Sequence, residues 1–221
     1  MRVKKIFWDD PYKTSHITTI TGVDGAQVTL NETIFYAFSG GQQSDRGSIG
    51  GYEVLKAEKV GMEIYYTLPE YHTLCLGDSV EILINWDCRY RLMKLHFAAE
   101  LVLEVVYQEF NHPEKTGAYI SPDKARVDFM WEGQISSIFP SLLSSIQKII
   151  DSDFPITSAF ENEMQERRYW EIEGFAKVPC GGTHIKRTSE IGSIQLRRRN
   201  NGKGQERIEI TLGESLNLST S

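Results

Sequence analysis

The sequence predicts an α+β fold in which a small N-terminal β-barrel domain, residues 1–86, precedes an α/β two-layer domain, residues 87–221, with a long helix packed on an antiparallel sheet. Three observations lead to this prediction. Short segments rich in β-branched and aromatic residues, separated by glycine turns, fill the first 86 positions. A helical stripe of apolar residues begins at position 87. Strand-like and helix-like segments then alternate as far as a loose tail at 213–221.

The predicted strands of the first domain lie between turn signals. These strands are Ser15–Thr21, Gln27–Leu30, Thr33–Phe38, Tyr52–Val60, Met62–Leu68 and Val80–Ile84. The turn signals are Asp24-Gly25, Ser39-Gly40-Gly41, Gly50-Gly51 and Gly77-Asp78. Many short strands joined by glycine turns are typical of a barrel.

The second domain begins with the long helix. Its apolar positions recur at spacings of three and four from Asp87 to about Phe110, at Leu92, Leu95, Ala99, Val102 and Val106. After this helix the predicted strands are Gly117–Ile120, Ala125–Phe129, Ile156–Phe160 and Phe175–Val178. The predicted helices are Gln134–Ile150 and a polar one at Glu161–Arg168. Ser193–Leu196 and Arg207–Leu212 are predicted to form a hairpin.

Composition and charge exclude some classes of protein. No apolar run approaches the ~18 residues of a membrane span, and Asp9-Asp10 follow the N-terminus where a signal peptide would be apolar. Three cysteines cannot all pair with one another, which argues against a disulfide framework. We therefore expect a cytoplasmic protein with no membrane partner, either a monomer or a homodimer.

A thiol and an imidazole form the strongest chemical signal. Cys180 and His184 are separated by Gly181, Gly182 and Thr183, and small residues let two soft donors approach one metal ion. On the long helix His96 and Glu100 are four residues apart and share a face. Together the four side chains predict a zinc site, although a helix His and Glu are also typical of a core residue and a solvated one.

Two further stretches have both a functional and a plain interpretation. The glycine loop at residues 39–47 is either a β-turn or a loop that presents Gln42, Asp45 and Arg46 to RNA or to a catalytic cleft. The formal net charge is -6, but residues 186–207 carry seven basic and two acidic side chains. This hairpin is either a solvated face or a contact for a phosphate backbone. We take the RNA-binding candidates to be Arg197, Arg198, Arg199 and Lys203.

These motifs together resemble a known family. Cys-Gly-Gly-Thr-His at 180–184, the segment 168–179 before it, the glycine loop and the helix start at 89–96 are similar to free-standing alanyl-tRNA editing proteins of the AlaX type, in the medium-length form. The resemblance covers about 7–212. It differs at Glu100, where the family has a second helix histidine, at Phe97, where threonine is common, and at Ser39, where a third glycine is usual.

The resemblance implies a function for each motif. It implies an ATP-independent hydrolase that deacylates mischarged alanine tRNA, with Zn²⁺ held by His96, Glu100, Cys180 and His184, which are also the catalytic residues. It implies substrate contacts at Phe97, Gly40, Gly41, Gln42, Asp45, Gly181, Gly182 and Thr183.

The resemblance leaves three questions open. Zinc either activates water, polarises the carbonyl or anchors the amino group of the substrate. Because four bound protein ligands would close the metal site, we expect Glu100 to be loosely held. A catalytically silent tRNA-binding module and a hydrolase of small acyl esters are the alternative functions.

Overall fold

The computed structural model describes residues 2–213, which form two α-helices and mostly antiparallel sheets, an α+β arrangement. The predicted tail, from residue 214 onward, lies outside the described residues. The chain divides into two compact units between Leu92 and Met93. Neither α-helix within residues 2–213 is long and apolar enough to cross a membrane.

Nine strands form the sheets of the N-terminal unit. They are β1 (Lys4–Lys5), β2 (Ser15–Asp24), β3 (Gln27–Leu30), β4 (Glu32–Thr33), β5 (Gly47–Ile49), β6 (Tyr52–Glu53), β7 (Lys56–Val60), β8 (Glu63–Thr67) and β9 (Ser79–Ile84). Seven of them form one antiparallel sheet in the order β6-β5-β9-β2-β3-β8-β7, and β1 pairs with β4 in parallel. The long strand β2 pairs with β9 through its first half and with β3 through its second.

The predicted strand Thr33–Phe38 is wrong beyond Thr33. Its backbone hydrogen bonds go to side chains instead of a neighbouring strand, since the Phe35 amide donates to Thr33 Oγ1 at 3.0 Å and the Tyr36 amide to Asp45 Oδ2 at 2.6 Å. The consecutive residues Ile34–Ala37 are all buried, which the alternation of a half-buried strand does not allow.

The C-terminal unit contains most of the helical structure. Its elements are α1 (Trp86–Glu109), which starts in the first unit, β10 (Lys115–Ile120), β11 (Ala125–Met130), a 3₁₀ turn (Ile135–Ile138), α2 (Phe139–Asp151), β12 (Thr157–Asn162), β13 (Arg167–Ile172), β14 (Ala176–Pro179), β15 (Ile194–Gly202) and β16 (Gln205–Leu212). Two antiparallel sheets result, one with the order β10-β11-β16-β15 and one with the order β12-β13-β14.

The predicted polar helix at Glu161–Arg168 is wrong, because this stretch joins β12 to β13. Buried residues of β13 alternate with exposed or partly buried ones, and its register pairs Ser158 with Trp170. Strand pairing and a period of two therefore outweigh the helix propensity of the polar residues.

The predicted C-terminal hairpin is present and longer than expected. β15 and β16 pair from Ile194↔Leu212 to Gly202↔Gln205. The two residues between them, Lys203 and Gly204, have φ of 53° and 75°. Positive φ at both positions is the requirement of a tight type I′ turn, for which Gly204 is suited.

Helix α1 is more deeply buried than a single apolar stripe requires. All five residues of the predicted stripe are buried, which confirms that part of the prediction. Met93, Phe97, Ala98, Leu101 and Val105 are buried as well. A helix that is apolar on nearly every side belongs in a core, so polar groups on it, such as His96 and Glu100, need hydrogen-bonding partners.

Candidate metal centre

Two elements of the C-terminal unit carry the four predicted donors. His96 and Glu100 lie one turn apart on α1, with 3.3 Å between His96 Nε2 and Glu100 Oε1. Cys180 directly follows β14, and its amide donates to the Arg168 carbonyl at 2.9 Å. The β13–β14 pairing therefore continues as far as the thiol and fixes its position. His184 lies four residues farther along the chain.

The donor atoms of His96, Cys180 and His184 are spaced as a tetrahedral zinc shell requires. Cys180 Sγ lies 3.3 Å from His96 Nε2 and 3.3 Å from His184 Nε2, and 3.8 Å from Glu100 Oε1. Zn–S and Zn–N bonds of about 2.3 and 2.0 Å at tetrahedral angles separate the donors by about 3.3–3.6 Å. His96, Cys180 and His184 form a group whose ligand atoms all lie within 4.8 Å of one another. The chemistry and spacing of the donors fit zinc.

Side chains behind the donors hold two of them in orientation. The Trp170 indole Nε1 donates to Glu100 Oε2 at 3.1 Å, and Ser158 Oγ is 2.9 Å from His184 Nδ1. The Ser158 contact leaves His184 Nε2 directed at Cys180, as a metal ligand requires. Trp170 and His96 contact the two oxygens of Glu100, and the expectation that Glu100 is a loosely held metal ligand stays a prediction.

Burial and mutual contacts shift the pKa values of three of the four predicted donors. Burial, followed by the positive charge of His96, lowers the pKa of His184 to about 3. Burial also acts to lower the pKa of His96, but the negative charge of Cys180 and hydrogen bonds with Cys180 and Glu100 outweigh it and raise that pKa to about 10. Burial acts to raise the pKa of Glu100, but the hydrogen bond and charge of His96 outweigh it and lower that pKa to about 2. A carboxylate and a neutral imidazole are donors that a divalent cation accepts.

The residues between Cys180 and His184 present one open position. Gly182 and Thr183 are buried, whereas Gly181 is exposed. A Cβ atom added at Gly181 would meet no atom within 4 Å. The position next in sequence to Cys180 is therefore open.

Phe97 lies behind the cluster. Its ring is fully buried and packs edge-on against Trp170, with 5.0 Å between centroids, and against His184, with 5.8 Å. Phe97 thus shapes the packing around the His184 ring.

The glycine loop of the N-terminal unit forms a tight turn. Ser39 and Gln42 exchange two backbone hydrogen bonds of 3.2 and 2.9 Å. Gly40 and Gly41 between them have φ of 59° and 86°, values at which side chains are strained. The positive φ values of this turn therefore favour glycine at both positions.

Two predicted residues of this loop point into the interior of the N-terminal unit. Gln42 is fully buried, and Asp45 is 4% exposed. Both Asp45 oxygens accept hydrogen bonds from Arg89, which is itself 0% exposed and also donates to the Ile34 and Pro11 carbonyls. Asp45 thus ties the loop to the first turns of α1 within this unit. Its substrate-binding role stays a prediction.

The basic hairpin divides its arginines between two faces. Arg198 donates with Nε and Nη2 to Glu206, which is 2% exposed. Arg197 and Arg199 point to the opposite side of β15 and are exposed, as is Lys203 in the turn.

Trp170 and Ser158 are the site residues that sequence reasoning missed. Each lies far along the chain from its partner, and neither belongs to a spacing motif. Only the strand pairing of β12 with β13, which places Ser158 opposite Trp170, brings the two together.

Comparison with known proteins extends these observations. The family described as "Threonyl and Alanyl tRNA synthetase second additional domain" matches residues 168–209. Alanyl-tRNA editing protein AlaX-M from Pyrococcus horikoshii is 33% identical over 214 residues, covering 95% of this chain and 97% of that protein. AlaX-M from Methanosarcina acetivorans is 31% identical over 221 residues, covering 86% and 90%.

A longer protein also matches. An alanine–tRNA ligase from Methanococcus maripaludis is 30% identical over 207 residues, which cover 84% of this chain but 23% of the ligase. The similarity to the AlaX-M proteins, in contrast, spans nearly the whole of both chains. Because the similarity covers most of both chains and the donor cluster is present, we conclude that the chain belongs to the AlaX-M family of alanyl-tRNA editing proteins.

Proposed function

We propose that this protein is a trans-editing hydrolase that deacylates alanine tRNA charged with a wrong amino acid, serine first and glycine second. The family membership supports the tRNA substrate. The observation that carries the chemistry is the group of His96, Cys180 and His184 at metal-binding distances. A tRNA substrate also implies a cytoplasmic location.

We propose Zn²⁺ as the cofactor, bound by His96 Nε2, Cys180 Sγ, His184 Nε2 and Glu100 Oε1. The thiolate and the carboxylate together would balance the charge of the ion, which favours binding at a buried site. Bound there, zinc supplies either the activation of a water molecule or an anchor for the amino group of the substrate.

The remaining chemistry belongs to the protein. Ser158 and Trp170 orient a histidine and a carboxylate, so little reorganisation is needed when a substrate arrives. We propose that the open space at Gly181 admits the aminoacyl ester and that Phe97 sets the size of the amino acid accepted. Gly182 and Thr183 form the buried support of this segment.

The N-terminal unit has a proposed supporting role. We propose that residues 1–86 form a small barrel domain and that residues 87–221 form the editing domain. The seven-stranded sheet and the cluster of buried apolar residues in this unit support the barrel. In the glycine loop Gly40 is exposed and Gly41 partly exposed, and we propose that they contact substrate, while Gln42 and Asp45 keep the loop in shape.

One observation favours a second candidate function. Glu100 Oε1 lies 3.8 Å from Cys180 Sγ as a candidate fourth donor, and Glu100 Oε2 accepts a hydrogen bond from Trp170. A closed four-ligand shell is typical of a structural zinc ion. The second candidate is therefore a catalytically silent, zinc-containing module that binds tRNA without turnover.

The metal hypothesis is tested by removing single donors. Cys180→Ala and His184→Ala are each expected to abolish both bound zinc and hydrolysis of seryl-tRNA(Ala), because each variant removes one of the three donors that lie at metal-binding distances from one another. Cys75→Ala is the matched control, since Cys75 is an exposed free cysteine. Full zinc occupancy in both donor variants, by elemental analysis, would refute the metal site.

A further inference from the structure

We propose that the outer face of the four-stranded sheet β10-β11-β16-β15 is the surface that docks the phosphate backbone of the RNA. We call this surface the arginine face and define it by Lys124, Arg126, Asp128, Arg197, Arg199, Arg207 and Glu209. The proposal rests on the proposed function, which supplies a tRNA partner.

The strand register places these side chains on one face. Arg207 pairs across the sheet with Asp128 on one side and with Arg199 on the other. Glu209 lies in the same way between Arg126 and Arg197. Residues two apart in a strand share a face, so these two rows lie side by side. The alternate residues of β11 and β16, including Val127, Phe129, Ile208 and Ile210, are buried on the other face.

The acids of the arginine face lie beneath its cations. The side chains of Asp128 and Glu209 are 8% and 6% exposed, whereas those of Arg199 and Lys124 are 53% and 46% exposed. Five cations and two acids leave a net charge of +3 on this face of a chain whose net charge is -6. A local reversal of sign orients an anionic partner towards this face.

The buried acids hold the arginines in place. Arg207 donates to Asp128 with Nε at 2.7 Å and Nη2 at 3.0 Å, and Arg126 donates to the same carboxylate. Arg199 Nε donates to Glu209 at 3.1 Å. A guanidinium has five N–H donors, so each arginine keeps donors for a phosphate and loses less side-chain entropy on binding than a free one.

Arg197 and Arg198 are neighbours in sequence but lie on opposite faces of the sheet, so the arginine face is not the same set of residues as the basic stretch of the sequence. Arg197 is exposed on the arginine face, and within residues 2–213 it has no ion-pair partner. Arg198, next in sequence, points to the opposite face, where Glu206 neutralises it. Of the predicted RNA-binding set, Arg197 and Arg199 therefore belong to this surface, Lys203 lies at its end in the hairpin turn, and Arg198 is outside it.

The test compares two neighbouring arginines in binding to uncharged alanine tRNA. Arg197→Gln is expected to lower the affinity roughly three- to tenfold at low salt and to reduce the slope of log K against log salt by about one. Arg198→Gln removes the same charge one residue away and is expected to leave affinity within about twofold. Lys148→Gln, on an exposed position of α2, controls for net charge if Arg198→Gln does not fold.

The outcomes separate this surface from the function. Equal affinities for Arg197→Gln and Lys148→Gln, in a protein that still binds and deacylates tRNA, would overturn the arginine face alone. A wild-type protein that does not bind tRNA would overturn both the surface and the proposed function. Binding of an acidic peptide in place of RNA, with the same loss in Arg197→Gln, would also contradict the RNA assignment.

Discussion

The most informative residue of the donor cluster is Glu100, because the family resemblance implies histidine at this position. A carboxylate has two oxygens, and here each has a separate task. Oε2 accepts the indole N–H of Trp170 at 3.1 Å, and Oε1 faces His96 and Cys180. Trp170 is 0% exposed, so its N–H also depends on this bond. The two residues orient each other.

Trp170→Phe tests that orientation. Removing the N–H while keeping a large ring frees Glu100 to rotate, and loss of a partner behind a metal ligand typically costs about ten- to a hundredfold in metal affinity. We expect zinc affinity, measured by competition with a chelator, to fall by about tenfold. Trp131→Phe is the control, since Trp131 packs against Phe110. Equal zinc affinities in the two variants would show that Trp170 does not position Glu100.

Phe97→Thr tests the choice of amino acid. Phe97 contacts the His184 ring and Trp170, so a small polar residue there enlarges the space and adds a hydrogen-bonding group. We expect the ratio of hydrolysis rates for serine and glycine esters on alanine tRNA to change by about tenfold. An unchanged ratio in a variant that keeps its zinc would remove Phe97 from substrate selection.

The sequence predicted the donors better than their supports. His96 and Glu100 share a helix face, and Cys180 and His184 share a short segment, so local spacing indicates each pair. The bonds from Trp170 and Ser158 arise only when β12 and β13 pair, and local patterns carry no record of that pairing. The same limit applies to Asp45, whose buried partner Arg89 is 44 residues away.

Among the elements, the glycine loop and the start of α1 form the clearest unit. Asp45 and Arg89 are both fully buried at the side chain and bind in a bidentate manner. A buried ion pair adds little stability compared with apolar residues, but breaking it leaves a buried charge without a partner.

Arg89→Met is therefore expected to be costly. It leaves Asp45 buried and unpaired and frees the Ile34 and Pro11 carbonyls, which we expect to lower the free energy of unfolding by about 3–5 kcal/mol. Urea denaturation measures this value, with Arg91→Met as a control at an exposed position of the same helix. A loss no larger than that of the control would mean that the pair does not hold the loop.

The elements were predicted where a pattern is local and missed where a tertiary partner decides. The long helix was predicted to begin at Asp87 and observed from Trp86, because its apolar repeat spans many turns. The polar sequence of Glu161–Arg168 by itself predicts a helix, but Arg167 and Arg168 belong to strand β13, which pairs with β12. In the predicted strand Thr33–Phe38, the side chains of Thr33 and Asp45 likewise accept backbone hydrogen bonds that a neighbouring strand would otherwise accept.

For the whole molecule, the distribution of charge matters more than its sum. A chain with a net charge of -6 is not a general nucleic-acid platform. It nevertheless has a cationic sheet face in the same unit as the donor cluster. This arrangement favours RNA docking at a limited surface, with the chemistry assigned to separate residues.

The family membership and the donor cluster lead to one central claim, that this protein hydrolyses a mischarged alanine tRNA at a metal site. The most direct test is deacylation of alanine tRNA charged with serine, glycine or alanine, with zinc content measured on the same preparation. Rapid loss of serine, slower loss of glycine and retention of alanine, with about one zinc ion per chain, is the expected result. Stable zinc and tRNA binding with no hydrolysis of any of the three esters would contradict it and leave the silent module as the function.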